Sequence, residues 1–274
     1  MSIKFTILGC GSSLGVPRID GNFGKCNPKN KKNYRTRCSA LISSSQRNIL
    51  IDTSPDIRFQ LLKNKIKNIN NVFYTHAHAD QTHGINEMRA FYIINKKELS
   101  VYGDKITKKH LFSAFKYCFK GSRSYPATLK FNNLNKIHKF DSGKDKIIIK
   151  NITVEHGLID SKCYIVNNKC AYVSDVNKIH NKDLNKLKNL KYFVVDCLRY
   201  TYHPSHFNLS DVFELTKKIK PKKTILTNLS AEIDYNDLKK KLPKNIIPAY
   251  DGLSLLILYF FNFRNNFFRH RICK

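Results

Sequence analysis

The stretch Thr75-His76-Ala77-His78-Ala79-Asp80-Gln81-Thr82-His83-Gly84 limits the possible folds of this chain more than any other. It follows the short apolar run 71–74 directly. It also gathers three histidines and an aspartate within eight positions, in a chain of 274 residues that has ten histidines. Side chains alternate along an extended segment, so His76 and His78 share one side. Asp80 continues that side as the chain turns toward a helix, and Ala77 and Ala79 let the backbone come close. Imidazole suits a borderline divalent ion such as zinc, and a carboxylate oxygen can complete the shell. A catalytic zinc takes three protein ligands and water, so two histidines on one strand end need help from other strands. Two downstream positions offer it. His156 closes the strand-like run 146–155, and Asp175 closes the run 171–174. The fold must therefore bring several strand ends to one rim.

The rest of the chain can build such a rim. Strands are expected at 3–8, 39–43, 48–52, 71–75, 146–155, 161–166, 171–174, 192–196, 223–227, 246–250 and 253–258. Helices are expected at 84–94, 108–119 and 209–219; Asn208 can cap the last, with Asp211 three residues on and Pro221 as its stop. Hairpins mixed with crossovers fit sheets covered by helices. Residues 1–258 read as one domain, and 259–274 as a basic, aromatic tail.

Several classes fall away. No window of about 18 apolar residues exists, so no membrane-spanning helix is expected. The first residues alternate and are too short for a signal peptide. The eight cysteines show no C-x-x-C pair and read as reduced thiols, which predicts a cytoplasmic location. The formal net charge is +29, from 49 basic and 20 acidic residues. Thirty-eight of the basic residues are lysines, spread along the chain rather than interleaved with aromatics. That pattern reads as a solvated surface that steers anions inward; nucleic acid is an admissible partner but not the favoured one.

The histidine stretch resembles the H-x-H-x-D-H signature of the metallo-β-lactamase fold superfamily. More narrowly, the chain is similar to the branch containing the phosphoribosyl cyclic phosphodiesterase of phosphonate breakdown. The likeness runs through Leu8-Gly9-Cys10-Gly11-Ser12-Ser13-Leu14-Gly15-Val16-Pro17, Asn33-Tyr34-Arg35-Thr36-Arg37-Cys38-Ser39 and Leu50-Ile51-Asp52-Thr53-Ser54-Pro55-Asp56. It continues in His203-Pro204-Ser205-His206-Phe207-Asn208-Leu209 and ends at Ala249-Tyr250-Asp251-Gly252.

The resemblance implies an α+β fold, an αββα sandwich of two mixed β-sheets flanked by helices, with the site where the sheets meet. It implies a metal-dependent hydrolase using Zn2+, with Mn2+ or Fe2+ as substitutes. His76, His78 and His156 would hold the first ion, Asp175 would bridge to a second, and Asp80 would bind that second ion. His206 would be the catalytic histidine that protonates the leaving oxygen. An Asp80 free of metal could orient water or take its proton. Arg35 and Arg37 could clamp a phosphate bidentately, with His203 in reserve. The expected substrate is a small cyclic or nucleotide-like phosphodiester, and the assembly is left open between monomer and homodimer. Two departures stand out. The closing histidine of the signature is Gln81, and Thr227-Asn228-Leu229-Ser230-Ala231 has no imidazole where relatives carry one. The first site is thus complete, and the second is reduced to Asp80 and the shared Asp175. The alternatives are an RNA-processing nuclease of the same superfamily and a non-catalytic member that binds a nucleotide or polyanion.

Overall fold

A computed structural model describes residues 2–142 and 145–258; the expected tail, 259–274, lies outside the described residues. The strands in chain order are β1 (Ser2–Gly9), β2 (Ser39–Ser43), β3 (Asn48–Ile51), β4 (Asn71–Phe73), β5 (Leu99–Gly103), β6 (Leu129–Asn133), β7 (Ile137–Ser142), β8 (Asp145–His156), β9 (Ile159–Val166), β10 (Cys170–Val173), β11 (Tyr192–Asp196), β12 (Lys223–Thr227), β13 (Ile246–Pro248) and β14 (Leu253–Leu258). One seven-stranded sheet runs β14-β1-β2-β3-β4-β5-β6 and the other runs β13-β12-β11-β10-β9-β8-β7. In the first, β14, β1, β2 and β3 pair antiparallel and β3 to β6 pair parallel. In the second, β7 to β10 pair antiparallel and β10 to β13 pair parallel. Both sheets are mixed, as the resemblance implied.

The period-two alternation of the strands sets the layers. Ile49 and Ile51 of β3 turn inward between the sheets, where they meet Phe73, Tyr164 and Tyr172. Leu50, between them, turns outward onto Ile57, Leu61 and Leu111 of the helices Ile57–Lys63 and Lys105–Ala114. In the second sheet Val194 of β11 faces inward, while Phe193 and Val195 face Val212, Leu215 and Ile219 of the helix Leu209–Ile219. Both faces of each sheet's centre are therefore covered. That is why β11 and β12 read as unbroken apolar runs rather than alternating ones. The result is four layers, helix on sheet on sheet on helix. No helix among the described residues is long and apolar enough to cross a membrane.

Helix 209–219 has the ends that its sequence predicts. Asn208 Oδ1 accepts from the backbone of Ser210 and Asp211, and the Asp211 carboxylate accepts from the Asn208 backbone N–H. Other elements differ. The helix expected at 84–94 is a 3-10 turn, Ile85–Met88, followed by an α-helix, Arg89–Asn95. The one expected at 108–119 begins at Lys105, where Asp104 caps it, and breaks at Phe115 before the short turn Lys116–Phe119. β4 ends at Phe73, so Thr75, His76 and His78 lie beyond the strand.

Candidate metal centre

Five strands deliver polar side chains to one rim. His76 follows β4, His156 ends β8, Asp175 follows β10, Asp196 ends β11 and Asn228 follows β12. Parallel strands side by side put their carboxyl ends together, and loops leaving those ends can converge. The ring centroids of His76, His78 and His156 form a triangle of 4.6, 5.1 and 5.1 Å. Ligand atoms of the three lie within 4.8 Å of one another.

The neighbours of each ring decide which nitrogen faces inward. Thr75 Oγ1 donates its proton to Asp52 Oδ2 at 2.8 Å, so it can only accept from His76 Nδ1, 3.0 Å away. The Thr75 N–H is also held, by Asp52 Oδ1 at 2.8 Å. Asp52 itself follows β3 in the left-handed region, φ 61°, and is fully buried. That leaves His76 Nε2 as the lone-pair nitrogen. It is buried and has no hydrogen-bond partner. Burial lowers the His76 pKa to about 3, and the neighbouring imidazoles push the same way against Asp175, so the ring is neutral. His156 is oriented likewise: its Nδ1 lies 2.7 Å from the Ser205 carbonyl, which can only accept, so Nε2 turns inward. The donor set of three neutral imidazoles beside a carboxylate fits a divalent zinc-like ion, and an orphaned buried nitrogen is what such an ion would satisfy.

Asp175 is the carboxylate of this group. Its Oδ1 is 4.0 Å from His156 Nε2, and its Oδ2 accepts from Gln81 Nε2 at 2.8 Å. Burial opposes its charge, but His76, His156 and His206 outweigh that and hold its pKa below the ordinary carboxylate range. Asp80, on the helix turn Ala79–Thr82, is shifted upward, first by burial and then by the Asp175 carboxylate. His83 turns away from the centre and stacks on His110 at 6.2 Å.

His206 stands against His156, ring centroids 4.6 Å apart, with Nδ1 2.6 Å from Asp196 Oδ2. Burial works against a charge on this ring, yet Asp196 prevails and raises the His206 pKa to about 9. Asp196 is fully buried and also accepts from the Val176 N–H and from Asn228 Nδ2. His203 lies 5.0 Å from His206 by ring centroids, and its Nδ1 accepts from the Ser205 N–H. A cleft of about 370 Å³ opens over the centre, lined by His78, Asp80, His156, Asp175, His203 and His206, with Arg18 and Arg199 on its walls. A groove of about 470 Å³ adjoins it and shares Asp80 and Arg18.

One expectation fails. Arg35 is not a phosphate clamp. Its side chain is buried, and its guanidinium donates to the carbonyls of Ser230 and Ile233 and to Asn33 Oδ1 at 3.1, 2.8 and 3.0 Å. Arg37 lies in the adjoining groove with Asp80, its Nε held 3.0 Å from Asp56. Four residues of this region were not anticipated as part of it. Asp196 was visible only as a carboxylate ending an apolar run, and Asp52 as the end of a hairpin strand. Arg18 and Arg199 had no signal beyond their charge.

Comparison with known proteins bears on this geometry. The family model described as "Beta-lactamase superfamily domain" matches residues 47–227. A crystal structure described as a new diphosphatase from the PhnP family superposes with a TM-score of 0.85 at 28% identity, covering 94% of this chain and 98% of the other. The Zn2+-bound PqqB of Methylobacterium extorquens superposes with a TM-score of 0.73 at 14% identity, over 92% and 99% of the two chains, which is a likeness of fold. A curated octanoyltransferase of Porphyromonas gingivalis is 28% identical over 260 residues, 93% of this chain. The chain spans about half the length of that relative, 52%. The matched model runs from β3 through β12 and contains the three imidazoles, both flanking carboxylates and Asn228's strand, so the chain belongs to the metallo-β-lactamase superfamily, in the branch that resembles the PhnP family.

Proposed function

We propose that this chain is a metal-dependent hydrolase that cleaves a small anionic phosphodiester, with Zn2+ held by His76, His78, His156 and Asp175. The observation that carries the reading is His76 Nε2, buried and partnerless within a group of three imidazoles. Leaving such a nitrogen unsatisfied costs about 1–3 kcal/mol, and a bound cation removes that penalty. A divalent ion there supplies Lewis acidity toward a phosphoryl oxygen and makes water more acidic.

The protein's own groups supply the rest. The bond from His206 Nδ1 to Asp196 fixes the ring and leaves Nε2 as the proton carrier on the cleft side. From there it protonates the leaving oxygen. Asp80 borders both the cleft and the adjoining groove, where it can orient a water or accept its proton. Arg18, Arg37 and Arg199 give the surroundings a positive potential suited to an anionic substrate. A cleft of about 370 Å³ suits a small molecule. The likeness to a diphosphatase of the PhnP family supports a phosphorus ester or anhydride as the bond broken.

The test is hydrolysis of bis(p-nitrophenyl) phosphate, with phosphorus NMR for natural-type diphosphates, alongside elemental analysis of the purified protein. Chelation should abolish turnover and Zn2+ or Mn2+ should restore it. An unchanged rate in His76→Ala overturns the reading. The net charge of +29 favours a second reading, an RNA-processing nuclease. Cleavage of transfer-RNA precursors with a steep fall in affinity as salt rises would select it over the first.

A further inference from the structure

We infer that this centre is built for a single ion, because the carboxamides of Gln81 and Asn228 occupy the hydrogen-bonding positions that a second cation would need. The inference rests on the metal site proposed above. Two groups of ligand atoms lie within 4.8 Å: His76 with His78 and His156, and His156 with Asp175 and His206. Both groups need His156. Its Nδ1 is committed to the Ser205 carbonyl at 2.7 Å, so only Nε2 can ligate, and one nitrogen lone pair serves one ion. If the triangle of imidazoles takes it, the second group loses a member.

What remains of the second group is already partnered. An ionised carboxylate only accepts, so the Gln81 group facing Asp175 Oδ2 at 2.8 Å is its N–H. Asn228 Nδ2 faces the other oxygen at 3.5 Å and Asp196 Oδ1 at 3.2 Å. His206 Nδ1 is held by Asp196 at 2.6 Å. These N–H groups bring partial positive charge to the carboxylates, which is the electrostatic part of what a cation would supply, without an open coordination position. Neither carboxamide is free to withdraw. Gln81 is fully buried, its N–H bonded to the His78 carbonyl and its C=O to the Thr53 N–H. Asn228 sits at φ 58°, a conformation asparagine tolerates, between backbone bonds made by Thr227 and Leu229 to neighbouring strand ends. Asp80 is then the one remaining carboxylate of the second position, and one carboxylate does not make a cation site.

The experiment counts ions and does not require turnover. The full chain is stripped with chelator, titrated with Mn2+, and analysed for bound metal and by electron paramagnetic resonance. The expected result is one ion per chain with an uncoupled six-line spectrum. Gln81→His/Asn228→His should hold two per chain, with an exchange-coupled spectrum. Should that double variant fail to fold, the wild-type count and spectrum decide by themselves. Two coupled ions in the wild type overturn this inference and leave the proposed metal site standing; no bound ion overturns both. A folded double variant that still holds one ion overturns the assignment to Gln81 and Asn228.

Discussion

Replacing Arg35 by methionine separates a structural arginine from a substrate-binding one. The side chain is about 1% exposed, and its guanidinium makes three bonds, to the carbonyls of Ser230 and Ile233 and to Asn33 Oδ1. Each is charge-assisted, at roughly 1.5 kcal/mol or more, so together they contribute about 4–5 kcal/mol. Methionine fills much of the volume but leaves those acceptors without donors. Relief from burying a cation offsets part of the loss, which leaves a net destabilisation of about 3 kcal/mol. For a chain of this size, about 2–4 °C per kcal/mol converts that to a fall in Tm of roughly 6–12 °C. Urea unfolding gives the free energy, and initial rates at a temperature where the variant stays folded give KM. The expected outcome is a lowered midpoint with KM unchanged. A variant with the parent's midpoint and a raised KM would refute the reasoning, because it would put the guanidinium on the substrate.

Three further changes probe other links. Thr75→Val removes the hydroxyl that joins Asp52 to His76 Nδ1; Zn2+ affinity should fall about 10–100-fold in competition with a chromophoric chelator, and equal affinity would show that the ring needs no orienting partner. Asp196→Asn keeps the shape beside His206 but removes the charge; kcat should fall on the order of 100-fold with KM little changed, and an intact kcat would remove His206 from proton transfer. Asp104→Ala tests an electrostatic cap. Burial opposes the charge of Asp104, but the Thr107 N–H and Lys162, at 2.9 and 3.3 Å, hold its pKa below normal. A carboxyl whose folded pKa is depressed stabilises the protein above its unfolded pKa and ceases to as pH falls through the folded one. The variant should therefore be about 1 kcal/mol less stable at pH 7, with the difference shrinking below about pH 4; a gap that persists in acid would assign the effect to packing.

Residue chemistry that is unusual for its place can be read before the fold is known. Histidines at i and i+2 beyond an apolar strand carry their purpose in their type, and so do His156 and Asp175 at the ends of strand-like runs. β11 and β12 were equally legible, since burial on both faces demands unbroken apolar runs. β5, β6 and β7 were not. Their outward positions carry serine, lysine and asparagine, and β6 and β7 lie at sheet edges where little apolar surface is required. The helices Ile57–Lys63 and Tyr235–Lys241 span only two turns, too few for a period of 3.6 to show.

Arg35 and Asp196 mark the limit of such reading from opposite sides. Both are charged residues whose type says that a partner is needed and not which one. Arg35 finds its partners nearly 200 residues away, in the carbonyls of Ser230 and Ile233, so a side chain that looked like a ligand holder became a brace beneath the loop after β12. Asp196 gains its role because β11 pairs in parallel beside β10 and β12, which sets its carboxylate between Val176, Asn228 and His206. Gln81 belongs with them. Its identity announced a missing ligand, but only the fold shows its N–H group on Asp175. The chemistry of a strand-end residue is thus written in its type, whereas its use is written in the pairing of strands that local sequence does not encode.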